Sequence, residues 1–193
     1  MSSSFSQCKN STVPPSPPSS SPEFKSYRPC VGIMLLNRNG LVWVGQREDT
    51  PQLNPPAEGP GSWWQMPQGG IDEYEDPQKA ALRELFEETS VKTVEILGET
   101  KNWLLYDLPS ELQGKAWGGR FRGQRQKWFA ARFHGKEDEI NISPEPPHKR
   151  EFIKWQWVPV NNLVSLIVPF KRDVYKLVVN EFGHLAKPLD IRS

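Results

Sequence analysis

The tightest constraint on this chain is local. Residues 76–91, DPQKAALRELFEETSV, read as one helix with a clear start and three glutamates crowded near its far end. Asp76 followed by Pro77 is a strong start signal: the aspartate caps orphan N–H groups, and the proline fills the first helical position, where no N–H is needed. Helical spacing then runs to about Thr89. At about 100° per residue, Leu82, Leu85 and Phe86 fall on one face, expected to anchor in a core. Glu84, Glu87 and Glu88 fall on the opposite face within an arc of roughly 100°.

Carboxylates at i,i+3 and i,i+4 stand about 5–6 Å apart, and each close pair repels by roughly 3 kcal/mol at an effective dielectric of ~20. They also sit in the C-terminal half of the helix, where the macrodipole favours cations. A solvated polar face dilutes such repulsion with lysines. Here the nearby cation is Arg83, one turn before Glu87 and placed to orient it. A hard divalent cation with oxygen ligands turns both penalties into attraction, and Mg²⁺ suits the role because it keeps water and phosphate oxygens as further ligands.

The rest of the chain frames this helix. Its 193 residues, 36% hydrophobic, suffice for one domain. Residues 1–26 hold ten serines and five prolines, a composition too poor in aliphatic residues to fold, so they are expected to form a disordered tail. A transit peptide is the less favoured reading, because the segment has no arginine. A folded domain is expected over 27–187, with a short tail over 188–193. PCVGIMLLNRNGLVWVGQR reads as a hairpin turning at Asn39-Gly40. A proline-rich insert, 49–62, separates it from the short strand WWQM. Strand-like TVEILGE, NWLLYDL, KWFAARF and KWQWV follow, then two helices near 160–167 and 171–183. The expected class is α/β, a mixed sheet flanked by helices.

Two cysteines without a CxxC or Cys/His neighbour exclude a disulfide framework and a zinc site of that kind. No apolar run is long enough to span a bilayer, and the expected setting is the cytoplasm. A net charge of +1 hides a segregation: seven acids lie between Asp72 and Glu88, and five cations without an acid between Arg120 and Arg132. GRFRGQRQKWF interleaves Arg120, Arg122, Arg125 and Lys127 with aromatic rings, offering cations to phosphates and rings to bases; an ordinary half-exposed strand has the same look. Trp43, Trp128, Trp155 and Trp157 read as packing residues.

Gly69, Glu75, Arg83, Glu84, Leu85, Glu87 and Glu88 match the Nudix box, G-x5-E-x7-R-E-U-x-E-E-x-G-U, at every spacing through the second glutamate pair. Average residue usage gives such a match on the order of 10⁻⁸ of the time at a given start. The chain therefore resembles the Nudix hydrolases. It departs from the box at Ser90, where the pattern has a glycine that ends the helix in a left-handed conformation; serine there costs about 1 kcal/mol.

The resemblance implies a Nudix fold, an α/β/α sandwich whose loop-helix-loop binds divalent metal, Mg²⁺ or Mn²⁺. It implies metal ligation by Glu84, Glu87 and Glu88, with the Gly69 carbonyl as a further ligand and Arg83 orienting Glu87, and it leaves Glu75 a structural role. YRPCVGIMLLNRNGLVWVGQR, WWQMPQGGIDE, GQRQKWFAARF, DEINI and VPFKRDVYK resemble the bacterial RNA pyrophosphohydrolase branch, especially its alphaproteobacterial members. Related plant dinucleoside tetraphosphate hydrolases share several of these strings. That branch implies Arg28 and Arg47 at the 5′ polyphosphate, and Tyr106 lining the site. Lys127 is a further substrate-binding candidate. Phe170 would stack on a terminal base, with Lys171 on the phosphate chain. Glu139 would complete the metal site or act as general base, with Glu137 and Asp138 as alternatives in the same turn. The implied reaction removes pyrophosphate from 5′-triphosphorylated RNA with a water nucleophile, a step that starts transcript decay in bacteria. Dinucleoside polyphosphate hydrolysis is the alternative, and no obligate protein partner is expected.

Overall fold

The computed structural model describes residues 26–48, 63–143 and 149–189. The serine-rich segment before residue 26, the insert 49–62 and residues 190–193 lie outside the described residues. In chain order the strands and helices are β1 (Tyr27–Leu36), β2 (Val42–Arg47), β3 (Trp64–Gln65), β4 (Gln68–Gly70), α1 (Pro77–Thr89), β5 (Val94–Glu99), β6 (Leu104–Asp107), α2 (Ser110–Gln113), β7 (Gly123–Phe133), β8 (Phe152–Val158), α3 (Leu163–Leu166) and α4 (Arg172–Phe182).

β1 and β7 form the spine of a mixed sheet, parallel and in register from Tyr27↔Gly123 to Leu36↔Arg132. The path β3-β2-β1-β7-β5 crosses it, with β4 on β1, β6 on β7 and β8 on β2. The expected hairpin turns at Asn39-Gly40, where the Asn37 side chain accepts from the Asn39 and Leu41 N–H groups at 3.0 and 2.9 Å.

Strand alternation sorts the apolar residues into two layers. Val31, Ile33, Leu35, Phe129 and Ala131 face Ala80, Ala81 and Leu85 of α1. Met34, Leu36, Trp128 and Ala130 face Leu163, Val174, Tyr175 and Val178. Each large side chain so buried contributes about 1.5–3 kcal/mol. The result is the expected α/β/α arrangement. Trp43 and Trp128 are fully buried, and Trp155 and Trp157 pack half-buried on the α1 layer.

The helix begins and ends as its sequence indicates. Asp76 accepts from the Gln78 and Lys79 N–H groups, both at 3.1 Å, with Pro77 behind it. Its packing face differs from expectation. Ala81, Leu85 and Glu88 follow i, i+4, i+7 spacing and form the buried stripe. Phe86 is 38% exposed and lies under the Lys92 ammonium, 4.5 Å from the ring centroid. Small alanines let the helix approach the sheet closely, which rotates Phe86 outward and Glu88 inward. β4 and α2 were not anticipated. Pro67 separates β3 from β4, and its carbonyl accepts from the Ile33 N–H at 3.0 Å.

Ser90 occupies the left-handed position at φ 62, ψ 3, and its N–H reaches the Phe86 carbonyl at 2.7 Å. Ser90→Gly is expected to stabilise the protein by about 1 kcal/mol, read as a higher urea midpoint at unchanged slope. A lower midpoint would contradict the strain assigned here.

Candidate active site

A cavity of about 600 Å³ brings together Glu84, Gly69 and Gly70 of the helix-loop unit with Arg28, Arg47, Tyr106, Phe170 and Lys171. These side chains come from segments far apart in sequence. β1 and β2 carry the arginines, β6 the tyrosine, and the turn before α4 the Phe170-Lys171 pair.

Glu88 is the most buried acid in the site, 6% exposed, and its Oε2 accepts from the Gln68 N–H at 3.2 Å. Burial pushes its carboxyl well above the ordinary range, the charges of Glu151 and Glu84 add to the rise, and Arg47 opposes it. Glu84 is raised in the same way by burial, with Arg83 opposing. A Cβ at Gly69 would meet the Glu84 carboxylate, so a side chain there would displace Glu84 from its present position. Gly70 serves similarly beside Arg28, whose Nη2 would stand 2.5 Å from a Cβ there.

Arg83 is a hub. Nε and Nη2 hold Glu75 at 2.8 Å each, Nη1 holds Glu84 at 2.9 Å, and Nη2 also donates to the Gly70 carbonyl at 2.9 Å. Its contact with Glu87 is the longest, 3.5 Å. Glu75 is thus bound by Arg83, which draws its carboxyl below the usual range, and it also accepts from the Asp72 N–H at 3.0 Å. The arginine expected to orient Glu87 chiefly holds Glu75 and Glu84. The reason is geometric: the loop carbonyl of Gly70 anchors the guanidinium on that side.

Of the expected residues, Arg83, Glu87, Glu88, Glu139 and Lys127 do not line the cavity, and the last two are engaged elsewhere. Glu139 Oε1 accepts from the Lys92 and Thr93 N–H groups at 2.6 and 2.9 Å, fixing the segment after α1. Lys127 pairs with Glu99 at 3.2 Å and donates to the Thr100 carbonyl. Its strand position puts it with Phe129, on the sheet face away from Gln124 and Gln126.

Glu151 went unnoticed in the sequence. It lines the cavity and pairs with Arg47 at 2.7 Å. Nothing local marks it; only the pairing of β8 with β2, which sets Phe152 opposite Arg47, brings it here. Gln68 was also missed. Its Oε1 accepts from Lys171 Nζ at 3.0 Å and from Gln126 Nε2 at 3.1 Å, while its Nε2 donates to the Tyr175 hydroxyl at 3.2 Å. Burial, with Arg47 nearby, lowers the Lys171 ammonium to about 8. Lys115 and Trp117 complete the wall, and the Arg28 guanidinium lies 5.4 Å from the Trp117 ring centroid.

Among the described residues, no three acidic, histidine or cysteine side chains stand grouped as they would to hold a metal ion. Glu84 is drawn onto Arg83 and Glu88 onto the Gln68 N–H. The donor set nonetheless fits a hard cation. It is all oxygen, and burial disfavours the charge on Glu84 and Glu88 while Glu151 faces both.

A carboxyl raised above its unfolded value binds a proton in the folded state that the unfolded chain has released, so stability falls as pH rises from the ordinary value of 4.5 toward the raised one. Glu88→Gln removes this liability. The EDTA-treated variant is expected to melt higher than the EDTA-treated parent at pH 7.5, with the two converging toward pH 4. A lower melting temperature for the variant at pH 7.5 would contradict the assignment.

Residues 26–178 match the NUDIX domain family. The chain is 54% identical over 169 residues to an RNA pyrophosphohydrolase of Bradyrhizobium diazoefficiens, covering 83% of this chain and 95% of that protein. A second RNA pyrophosphohydrolase, from Rhodopseudomonas palustris, is 56% identical over 168 residues, 83% of this chain and 94% of that one. The dihydroneopterin triphosphate pyrophosphohydrolase of E. coli shares the fold, with a TM-score of 0.57 at 17% identity across 81% of this chain and 99% of that one. The box spacing, the loop-helix-loop built on it and these likenesses agree: the chain belongs to the NUDIX family and is a Nudix hydrolase.

Proposed function

We propose that the protein hydrolyses the 5′ end of triphosphorylated RNA, releasing pyrophosphate and leaving a 5′-monophosphate. The observation that carries a phosphoanhydride reaction is the single cavity in which Glu84 and Glu151 meet Arg28, Arg47, Lys115 and Lys171, beside aromatic walls. Carboxylates alone would repel a polyphosphate, and cations alone would bind it without activating water. RNA as the substrate is supported by the names of the relatives above, across 83% of this chain.

Glu84, Glu87, Glu88 and Glu151 are the residues assigned to hold Mg²⁺ or Mn²⁺, with the Gly69 carbonyl as a further donor. When bound, the ion supplies charge neutralisation at the phosphates and a more acidic water. Glu151, at the cavity wall and outside the helix, takes the base role first assigned to Glu139, accepting the proton of the attacking water. The water oxygen joins the α-phosphorus, the bond from that phosphorus to the bridging oxygen breaks, and pyrophosphate leaves with that oxygen. Arg28, Arg47 and Lys171 bind the phosphate chain and offset the charge gathered on the leaving group. Tyr106 and Phe170, with ring centroids 5.7 Å apart, receive the terminal base.

Dinucleoside polyphosphates are the competing substrate, since the same cations and rings accept a polyphosphate capped at both ends. Turnover of 5′-triphosphorylated RNA and of diadenosine tetraphosphate, compared at matched concentration with Mg²⁺ or Mn²⁺, decides between them. RNA is expected to be preferred, and a preference for the dinucleotide would overturn the proposal. Because Lys171 is charged only below about 8, KM for the RNA is expected to rise as pH passes that value. A flat KM from pH 7 to pH 9 would contradict its role on the phosphates.

A further inference from the structure

A chain of side-chain amides joins the sheet to the site, and the reaction as assigned does not use it. Gln126 of β7 is 1% exposed and does not line the cavity, whereas Gln68 and Gln124 do. Its Oε1 accepts from Trp128 Nε1 at 2.9 Å, and its Nε2 donates to Gln68 Oε1 at 3.1 Å and to Gln124 Oε1 at 2.8 Å. Gln68 Oε1 accepts in addition from Lys171 Nζ at 3.0 Å, while Gln68 Nε2 donates to the Tyr175 hydroxyl at 3.2 Å and the Met66 carbonyl at 3.3 Å.

A carboxamide keeps its shape when turned over, so its neighbours decide which end is oxygen. Both ends of this chain are groups that can only donate, an indole N–H and an ammonium. Trp128, fully buried, needs an acceptor, which turns the Gln126 oxygen toward it and the Gln126 NH₂ toward Gln68 and Gln124. Gln68 must then offer its oxygen to Gln126, and the same oxygen takes the only hydrogen bond of Lys171 among the described residues. A reversed Gln126 would set oxygen against oxygen at Gln68 and Gln124 and leave the indole N–H facing an NH₂ group, mismatches that are costly away from water. A Gln68 turned to suit it would point its own NH₂ at the ammonium.

We propose that Gln126 is a positioning residue for the reaction, directed by Trp128: it holds the Gln68 amide in the orientation that fixes Lys171 Nζ at the phosphate chain. This rests on the phosphate role given to Lys171 under the proposed function. Neither Gln126 nor Trp128 lines the cavity, so their effect passes through Gln68.

The test measures kcat, KM and melting temperature with 5′-triphosphorylated RNA for Gln126→Met, Trp128→Phe and the double variant. Gln126→Met keeps the side-chain length and removes the amide, and is expected to raise KM roughly tenfold at nearly unchanged kcat. Trp128→Phe leaves the amide but removes the donor that directs it, and is expected to raise KM severalfold. Because the two act in series, the double variant is expected to show the KM of Gln126→Met and no more. All three are expected to melt lower, but loss of folded protein lowers kcat and leaves KM in place, so Gln126→Met alone decides if Trp128→Phe does not fold. A lower melting temperature with KM unchanged in Gln126→Met, or single effects on KM that multiply in the double variant, overturns the relay while leaving the proposed function standing. A parent that does not hydrolyse triphosphorylated RNA overturns the proposed function, and this role with it.

Discussion

A carboxylate placed under a sheet, beside two others, is the arrangement on which the rest of the site depends. Glu88 occupies the buried stripe of α1 with Ala81 and Leu85, so the packing that anchors the helix also carries an acid into the interior. Its only hydrogen bond among the described residues is the Gln68 N–H, and Glu84 and Glu151 add repulsion. In isolation this is unfavourable. On the proposed reading a divalent cation among these oxygen donors reverses the sign, so that residues unfavourable in the bare protein would serve the reaction.

The surrounding scaffold holds that arrangement ready. Arg83 ties Glu75, Glu84 and the Gly70 carbonyl into one unit, so a single guanidinium joins the loop before the helix to the helix itself. Gln68 links this unit to the opposite wall through Lys171 and Tyr175. Cations then lie near the acids without neutralising them all: Arg47 pairs with Glu151, while Arg28 and Lys171 face the cavity beside aromatic rings. Preorganised charge of this kind costs little reorganisation when phosphate enters.

Much of this was legible in residue order, because the features concerned are local. Asp76-Pro77 starts the helix where it should, Ser90 takes the left-handed position expected of the missing glycine, and the spine strands follow their apolar runs. What was misread depended on long-range register. The helix face was set by two alanines that carry little hydrophobic signal, so Phe86 was assigned inward and Glu88 outward. Glu139 was read from the resemblance and its acidic turn, and the two backbone N–H groups that its Oε1 accepts from could not be foreseen there. Glu151 has no local signature, and only the pairing of β8 with β2 delivers it to the cavity.

The central claim, that a divalent cation resolves the conflict among Glu84, Glu88 and Glu151, is tested most directly by titration calorimetry with Mn²⁺ at pH 7 in two buffers of different ionisation enthalpy. Metal binding requires the deprotonated carboxylate, so any proton that burial retains on Glu88 is released when the ion binds. The account expects binding with a buffer-dependent heat, and loss of that dependence in Glu88→Gln. Absence of metal uptake, or uptake with the same proton release in both proteins, would contradict it.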